Sequence, residues 1–303
     1  MKGYLVTLFP FLVKIKIPAS RDQLMLLMAA VNEIFLGVDI YLAHKLSGSI
    51  VLREWIPILF GPIAGVLLLI AGGIAIKKRE LAVVIANLVF VASIGVGLLG
   101  AYFHFVRAIL PTAPLGYRVS VDLLVWAPPV VGPLVFSLVG LLGITAVWRE
   151  DPVDSGKLLF FRGKVIQFPY SKSRAFFFMV SLGTLATLLS SVLDHARTSF
   201  ENPWLWVPVA AGVLGVLSPL VMALINEPNR GDILIYFSTM LLLIVVGVLG
   251  TGLHILDNLT SRGQFVLERF IRGAPFLAPL LFANMGALGI IALFDPGEKP
   301  PII

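Results

Sequence analysis

The chain has 303 residues, of which 58% are hydrophobic and only 13% charged, against roughly 25% charged in a soluble domain, so its surface must face lipid. The net charge of +6 comes from basic residues at the ends of apolar runs, where they read as topology signals and headgroup contacts and not as a nucleic-acid surface. The absence of cysteine excludes disulfides, thiolate metal sites, Cys-ligated iron–sulfur clusters and covalently attached c-type haem, leaving His, carboxylate, Met or Tyr as side-chain ligands.

Met1 to Arg21 opens like a signal peptide, with Lys2 ahead of the apolar run Tyr4 to Val13. Lys14 and Lys16 follow the run and no small-x-small cleavage site appears, so the segment reads as retained. Too short and too Pro-interrupted to span, it is expected along the membrane interface. Eight apolar segments follow: Gln23–His44, Trp55–Ile76, Leu81–Val106, Leu123–Trp148, Ala175–His195, Pro203–Ile225, Ile233–Leu256 and Gly273–Phe294. Each approaches or exceeds the ~20 residues that cross ~30 Å of hydrocarbon, which predicts an all-α integral membrane protein with eight transmembrane helices. Trp55, Trp204 and Trp206 read as aromatic anchors at the interface. Between the fourth and fifth segments, Arg149 to Arg174 is expected to be an inner-surface linker. Its alternating run from Leu158 to Phe168 fits a short hairpin.

The sequence is written twice. Pro18 and Ser20 match Pro169 and Ser171, Trp55 and Pro57 match Trp206 and Pro208, and Arg79 and His44 match Arg230 and His195, all at an offset of 151. The stretch Gly97-Leu-Leu-Gly100-Ala-Tyr-Phe-His104 returns as Gly247-Val-Leu-Gly250-Thr-Gly-Leu-His254 at 150. Pro129, Pro133, Phe136, Gly140 and Gly143 return as Pro275, Pro279, Phe282, Gly286 and Gly289 at 146. The drift locates a deletion in the loop after the third segment. This is the signature of a duplicated four-helix unit, with residues 1–150 as the first repeat and its interfacial segment, and 151–303 as the linker and second repeat. An even number of helices per unit brings both copies in from the same side, so the repeats are parallel, related by an axis along the membrane normal. Of the 23 Lys and Arg, eight (Lys45, Arg53, Arg107, Arg118, Arg197, Arg262, Arg269 and Arg272) lie on one side and the other fifteen on the side of the termini. That bias predicts cytoplasmic N- and C-termini in the cytoplasmic (inner) membrane.

The four histidines fall two to each repeat. His44 ends the first span and His104 stands near the end of the third, so both reach the same outer level; His195 and His254 repeat the arrangement. Two His on two helices of a four-helix bundle at one depth suit a b-type haem ligated from both faces. Gly97, Gly100, Gly247 and Gly250 share the helix face of the following imidazole and would clear space for the macrocycle; the alternative is close helix contact. A competing reading adds Asp122 and Glu268, paired at the offset of 146, to give two His and one carboxylate per repeat, a set for non-haem iron, zinc or copper. Against it stands an acid that only caps a helix start. Glu33 stands mid-span, three turns below His44 with Gly37 between, and is the proton-transfer candidate; its counterpart is Thr184. The alternative for Glu33 is a neutral carboxyl hydrogen-bonded to a neighbouring helix or subunit. Asp39 faces elsewhere on that span.

No P-loop, dinucleotide fingerprint, nucleophile elbow or HExxH appears. Two parallel four-helix units in about three hundred residues resemble, in topology alone, the eight-helix quinone-interacting anchors of the NrfD and DmsC type. The combined expectation is a membrane-embedded electron-transfer subunit of a respiratory-type redox complex, either non-catalytic or quinone-reacting. It would bind up to two b-type haems through the paired histidines, interact with quinone, or both. Expected partners are other subunits of a membrane complex, an extramembrane electron carrier at the outer face, and lipid, with no nucleic acid. The alternatives are a non-redox structural anchor and a membrane protein binding a metal through two histidines and a carboxylate. A transporter is disfavoured, because parallel repeats with two intramembrane acids offer little of a substrate path.

Overall fold

The computed structural model describes residues 3–14, 19–46, 48, 50–109, 111, 113–159, 164–260 and 266–294. Lys2, Lys16, Pro18 and Arg262, named above, lie outside them, as do Arg162 and Lys299 of the fifteen basic residues on the side of the termini. Six helices are long and apolar enough to cross a membrane: α2 (Arg21–Leu46), α3 (Trp55–Ala75), α4 (Arg79–Ala108), α7 (Lys172–Ala196), α8 (Trp206–Leu224) and α9 (Arg230–Thr260). Ahead of them, α1 (Tyr4–Leu8) buries Leu5 and Leu8 in the core, and the Leu5 N–H donates to the Leu293 carbonyl at 3.3 Å.

The fourth and eighth predicted spans are not continuous helices: six of the eight expected segments form helices long enough to cross, and the other two hold shorter apolar helices. The fourth breaks into α5 (Val121–Trp126) and α6 (Leu134–Val147). The eighth becomes α11 (Leu280–Ala292), preceded by α10 (Leu267–Arg272). The cause is proline. Pro128, Pro129 and Pro133 in one case, and Pro275 and Pro279 in the other, withhold N–H groups where an unbroken helix needs them. At 1.5 Å per residue, the 14 residues of α6 extend only ~21 Å, and non-helical backbone makes up the rest of each apolar run.

Helices α2, α3, α4 and α6 pack as one four-helix group, with α3 and α6 each touching both α2 and α4. Helices α7, α8, α9 and α11 pack in the corresponding way, with α8 and α11 each touching both α7 and α9. Thus α2 and α4, and likewise α7 and α9, stand across a diagonal. The groups meet where α6 packs on α7 and α11 on α2, while α5 touches α7 and α10 touches α2. Gly140 lets α6 approach the Phe90 carbonyl of α4, and Gly286 lets α11 approach the Met240 carbonyl of α9; a Cβ on either would collide.

Between the groups lie β1 (Arg149–Glu150), β2 (Lys157–Leu159) and β3 (Val165–Gln167), an antiparallel sheet in that order with Leu158 opposite Ile166. The hairpin expected from the alternating run is β2–β3; its tip, 160–163, lies outside the described residues. A buried ionic cluster fastens this sheet to the starts of α2 and α7. Lys172 Nζ donates to Asp22 Oδ2 at 2.5 Å and to the Trp148 carbonyl at 2.6 Å. Arg21 lies over the Phe176 ring and donates to Ser173 Oγ at 2.6 Å, and Glu150 accepts from the Lys172 and Gly156 amides.

Candidate functional site

The proline breaks account for the positions of two histidines. In an α-helix the carbonyl of residue 129 would accept the N–H of residue 133, but Pro133 has none. The vacated Pro129 carbonyl is instead 2.9 Å from Nδ1 of His104. The same substitution recurs at the other break, where Pro279 lacks the N–H and the Pro275 carbonyl lies 3.0 Å from Nδ1 of His254. Each contact to a carbonyl requires the imidazole to donate from Nδ1, so in the neutral ring the lone pair is on Nε2. Neither Nε2 has a hydrogen-bond partner among the described residues.

His44, two residues before the end of α2, places its Nδ1 2.8 Å from the Ile40 carbonyl, one turn back. Its ring centroid is 6.1 Å from that of His104, with the planes at 54°. A metal taking one nitrogen from each ring at about 2.0–2.1 Å would set the centroids roughly 5–6.5 Å apart, depending on the angle at the metal. The observed centroid distance falls inside that range. His195 and His254 lie close enough for their charges to interact. His195 Nδ1 is 3.4 Å from Ser191 Oγ, and its ring meets Phe200 edge-on, which in turn stacks on Trp206.

The glycine stripe is occupied by neighbouring helix segments, which corrects the expectation of an open slot. A Cβ on Gly97 would meet Ser137 and the Pro133 carbonyl, and one on Gly100 the Pro133 ring. Gly247 and Gly250 stand in the same way against Ala283 and Pro279. The glycines seat the two prolines, and through them the Pro129 and Pro275 carbonyls that hold His104 and His254. They act on the imidazoles by positioning them.

Asp122 and Glu268 are exposed in the first turns of α5 and α10. Among the described residues, no three His, Asp or Glu gather as a metal cage, so neither acid completes a site with the histidines. The acid near the second pair is Asp194, whose charge interacts with His195, His254 and Arg197. It was not singled out from the sequence, although its place directly before His195 was the available signal.

Glu33 is fully buried. Ser93 Oγ lies 2.6 Å from its Oε1 and 3.1 Å from the Val89 carbonyl. The Ser93 hydroxyl is thus shared between the Glu33 carboxyl and the carbonyl one turn back on its own helix. No cation pairs with Glu33 among the described residues; Oε1 is bonded to the neighbouring helix through Ser93, and Oε2 is buried without a hydrogen-bond partner there. The helix face between Glu33 and His44 is closed, because Pro62 of α3 packs directly on Gly37. Compared with known proteins, the chain matches no family model, no curated sequence and no solved structure.

Proposed function

We propose that the protein is an electron-transfer subunit of a membrane redox complex, in which His44 with His104, and His195 with His254, hold b-type haem. The observation that carries this reading is the state of the imidazoles. They project from diagonal helices, Nδ1 is spent on a carbonyl at three of the four, and the first pair is spaced for one shared iron. A histidine ligand whose second nitrogen donates to a carbonyl is the usual arrangement at metal sites. Haem iron there would cycle single electrons, and the chain's own contribution is to fix the tautomer and aim of each ring. Quinone is the lipid-soluble partner this chemistry would serve, with an extramembrane carrier at the outer face and Glu33 as the proton-holding group.

The same reading takes the chain as eight crossings in two parallel four-helix repeats, with α6 and α11 completing the fourth and eighth together with their non-helical portions. Three features support it: the recurring offsets, the matched glycine seats on α4 and α9, and an exchange of contacts. The α6–α7 and α5–α7 contacts have α11–α2 and α10–α2 as counterparts, the pattern expected of a two-fold axis along the membrane normal. The bias of fifteen basic residues against eight supports cytoplasmic placement of both termini.

A second reading, a structural anchor with packed histidines, is favoured by one observation: the glycine stripe is filled by Pro133 and Pro279. A reduced-minus-oxidised optical spectrum of the purified protein separates the two. The haem reading expects a b-type difference spectrum, halved by His104→Leu with the remainder unshifted. A flat spectrum with no iron in the preparation leaves the anchor reading in its place.

A further inference from the structure

Where the two helix groups meet, α2, α6, α7 and α11 enclose a cavity of ≈ 210 Å³. Its walls are apolar, from Leu138, Met179, Leu281, Met285 and Leu288 among others. Three hydrogen-bonding side chains nevertheless line it: Asn32 and Asp39 on α2 and Asn284 on α11. None of the three makes a hydrogen bond to another described residue. At hydrocarbon depth, amide groups left without partners are costly, and two of them opening onto one apolar chamber call for an occupant that supplies acceptors.

Asn32 and Asp39 are seven residues apart, on one face of α2 and about 10 Å apart along its axis. The chamber is thus longer than it is wide. It is smaller than the roughly 300–1,000 Å³ of sites that enclose a whole drug-sized ligand, so it takes a ring or head and leaves the remainder of a longer molecule outside. Phe35, 53% exposed, stands at its lipid-facing edge.

We propose that this cavity binds the head of a membrane-soluble molecule carrying carbonyl oxygens, held by hydrogen bonds from the Asn32 and Asn284 amides with Asp39 at the end nearer the histidines. Two sources share that chemistry, a lipid-soluble quinone and the ester end of a membrane lipid. The quinone source rests on the electron-transfer reading, and it carries a structural consequence. Asp39, which lines the cavity, lies near enough to Asp194 of α7 for their charges to interact, and Asp194 directly precedes His195. The repeat counterparts, Ser190 for Asp39 and Ala43 for Asp194, provide no such connection to the first pair.

The test uses the full chain in phosphatidylcholine nanodiscs, titrated with a decyl-substituted benzoquinone by calorimetry, with lipid retained after detergent exchange measured by mass spectrometry. One bound quinone per chain is expected. Asn32→Leu and Asn284→Leu, each more apolar than the residue replaced and so compatible with the membrane fold, should each weaken binding about five- to tenfold by removing one hydrogen bond. Leu281→Trp should fill the chamber and abolish binding. If the protein instead retains one ester lipid per chain, lost in Asn32→Leu, the membrane lipid is the occupant. Neither quinone binding nor a retained lipid sensitive to Asn32 would overturn the proposal and leave the chamber to water. The haem spectrum is read separately: a protein without haem that still binds the probe refutes only the histidine assignment.

Discussion

Asp22→Asn is the sharpest perturbation of the fold. Asp22 is the only carboxylate hydrogen-bonded to the Lys172 ammonium among the described residues, at 2.5 Å, and its other oxygen lies 3.3 Å from Arg21 Nε. The Lys172 and Arg21 side chains are 2% exposed and Asp22 15%, so solvent screens little of the interaction. Asparagine keeps the shape and one acceptor but leaves two buried cations without their shared counter-charge. Breaking a buried pair in this way costs about 3–5 kcal/mol. At about 2 °C per kcal/mol for a chain of this length, the thermal midpoint should fall by roughly 6–10 °C. The double variant Asp22→Asn/Lys172→Met removes one of the two stranded cations and should recover part of the loss, with Arg21 still held by its hydrogen bond to Ser173 and the Phe176 ring. The assay is tryptophan fluorescence during heating in detergent at one fixed scan rate, since membrane proteins commonly unfold irreversibly. A single variant within about 1 °C of the parent, or a double variant as unstable as the single, would refute the reasoning.

Glu33→Gln keeps an acceptor for Ser93 and removes the transferable proton; turnover of the assembled complex should slow with cofactor content intact, and full activity would retire the proton role. A reporter fused after Ile303 should behave as cytoplasmic and one near Arg262, likewise outside the described residues, as external. An external C-terminus would mean an odd number of crossings.

The six long helices were legible because each is a run of apolar side chains longer than the bilayer requires. The breaks inside the fourth and eighth segments were not read, for a specific reason. Hydropathy averages side chains over a window, in which Pro129, Pro133, Pro275 and Pro279 are outweighed by their apolar neighbours, whereas their effect is a missing backbone N–H. The four-residue spacing of each proline pair was the usable signal, since it names the carbonyl left without a donor. The glycine stripe was visible, but a bare helix face reads the same whether a cofactor or a proline fills it. The Asp22–Lys172 pair was invisible for another reason. The two residues are 150 positions apart, and each stands at a helix start, where charge reads as a topology signal.

The packing and ligand readings of the histidines compete less than the sequence suggests, because they use different nitrogens. Proline at 133 removes an N–H, glycine at 97 and 100 lets that proline come close, and the Pro129 carbonyl is thereby left for His104. The same three steps at Pro279, Gly247 and Gly250, and Pro275 lead to His254. This chain of causes accounts fully for Nδ1, and it explains why glycine, histidine and two prolines recur together at each break. It gives no task to Nε2. A side chain required only to cap a carbonyl needs a single donor, which serine or asparagine also supplies. What imidazole adds, once Nδ1 is occupied, is a neutral nitrogen lone pair held in a fixed direction, the property on which metal ligation depends.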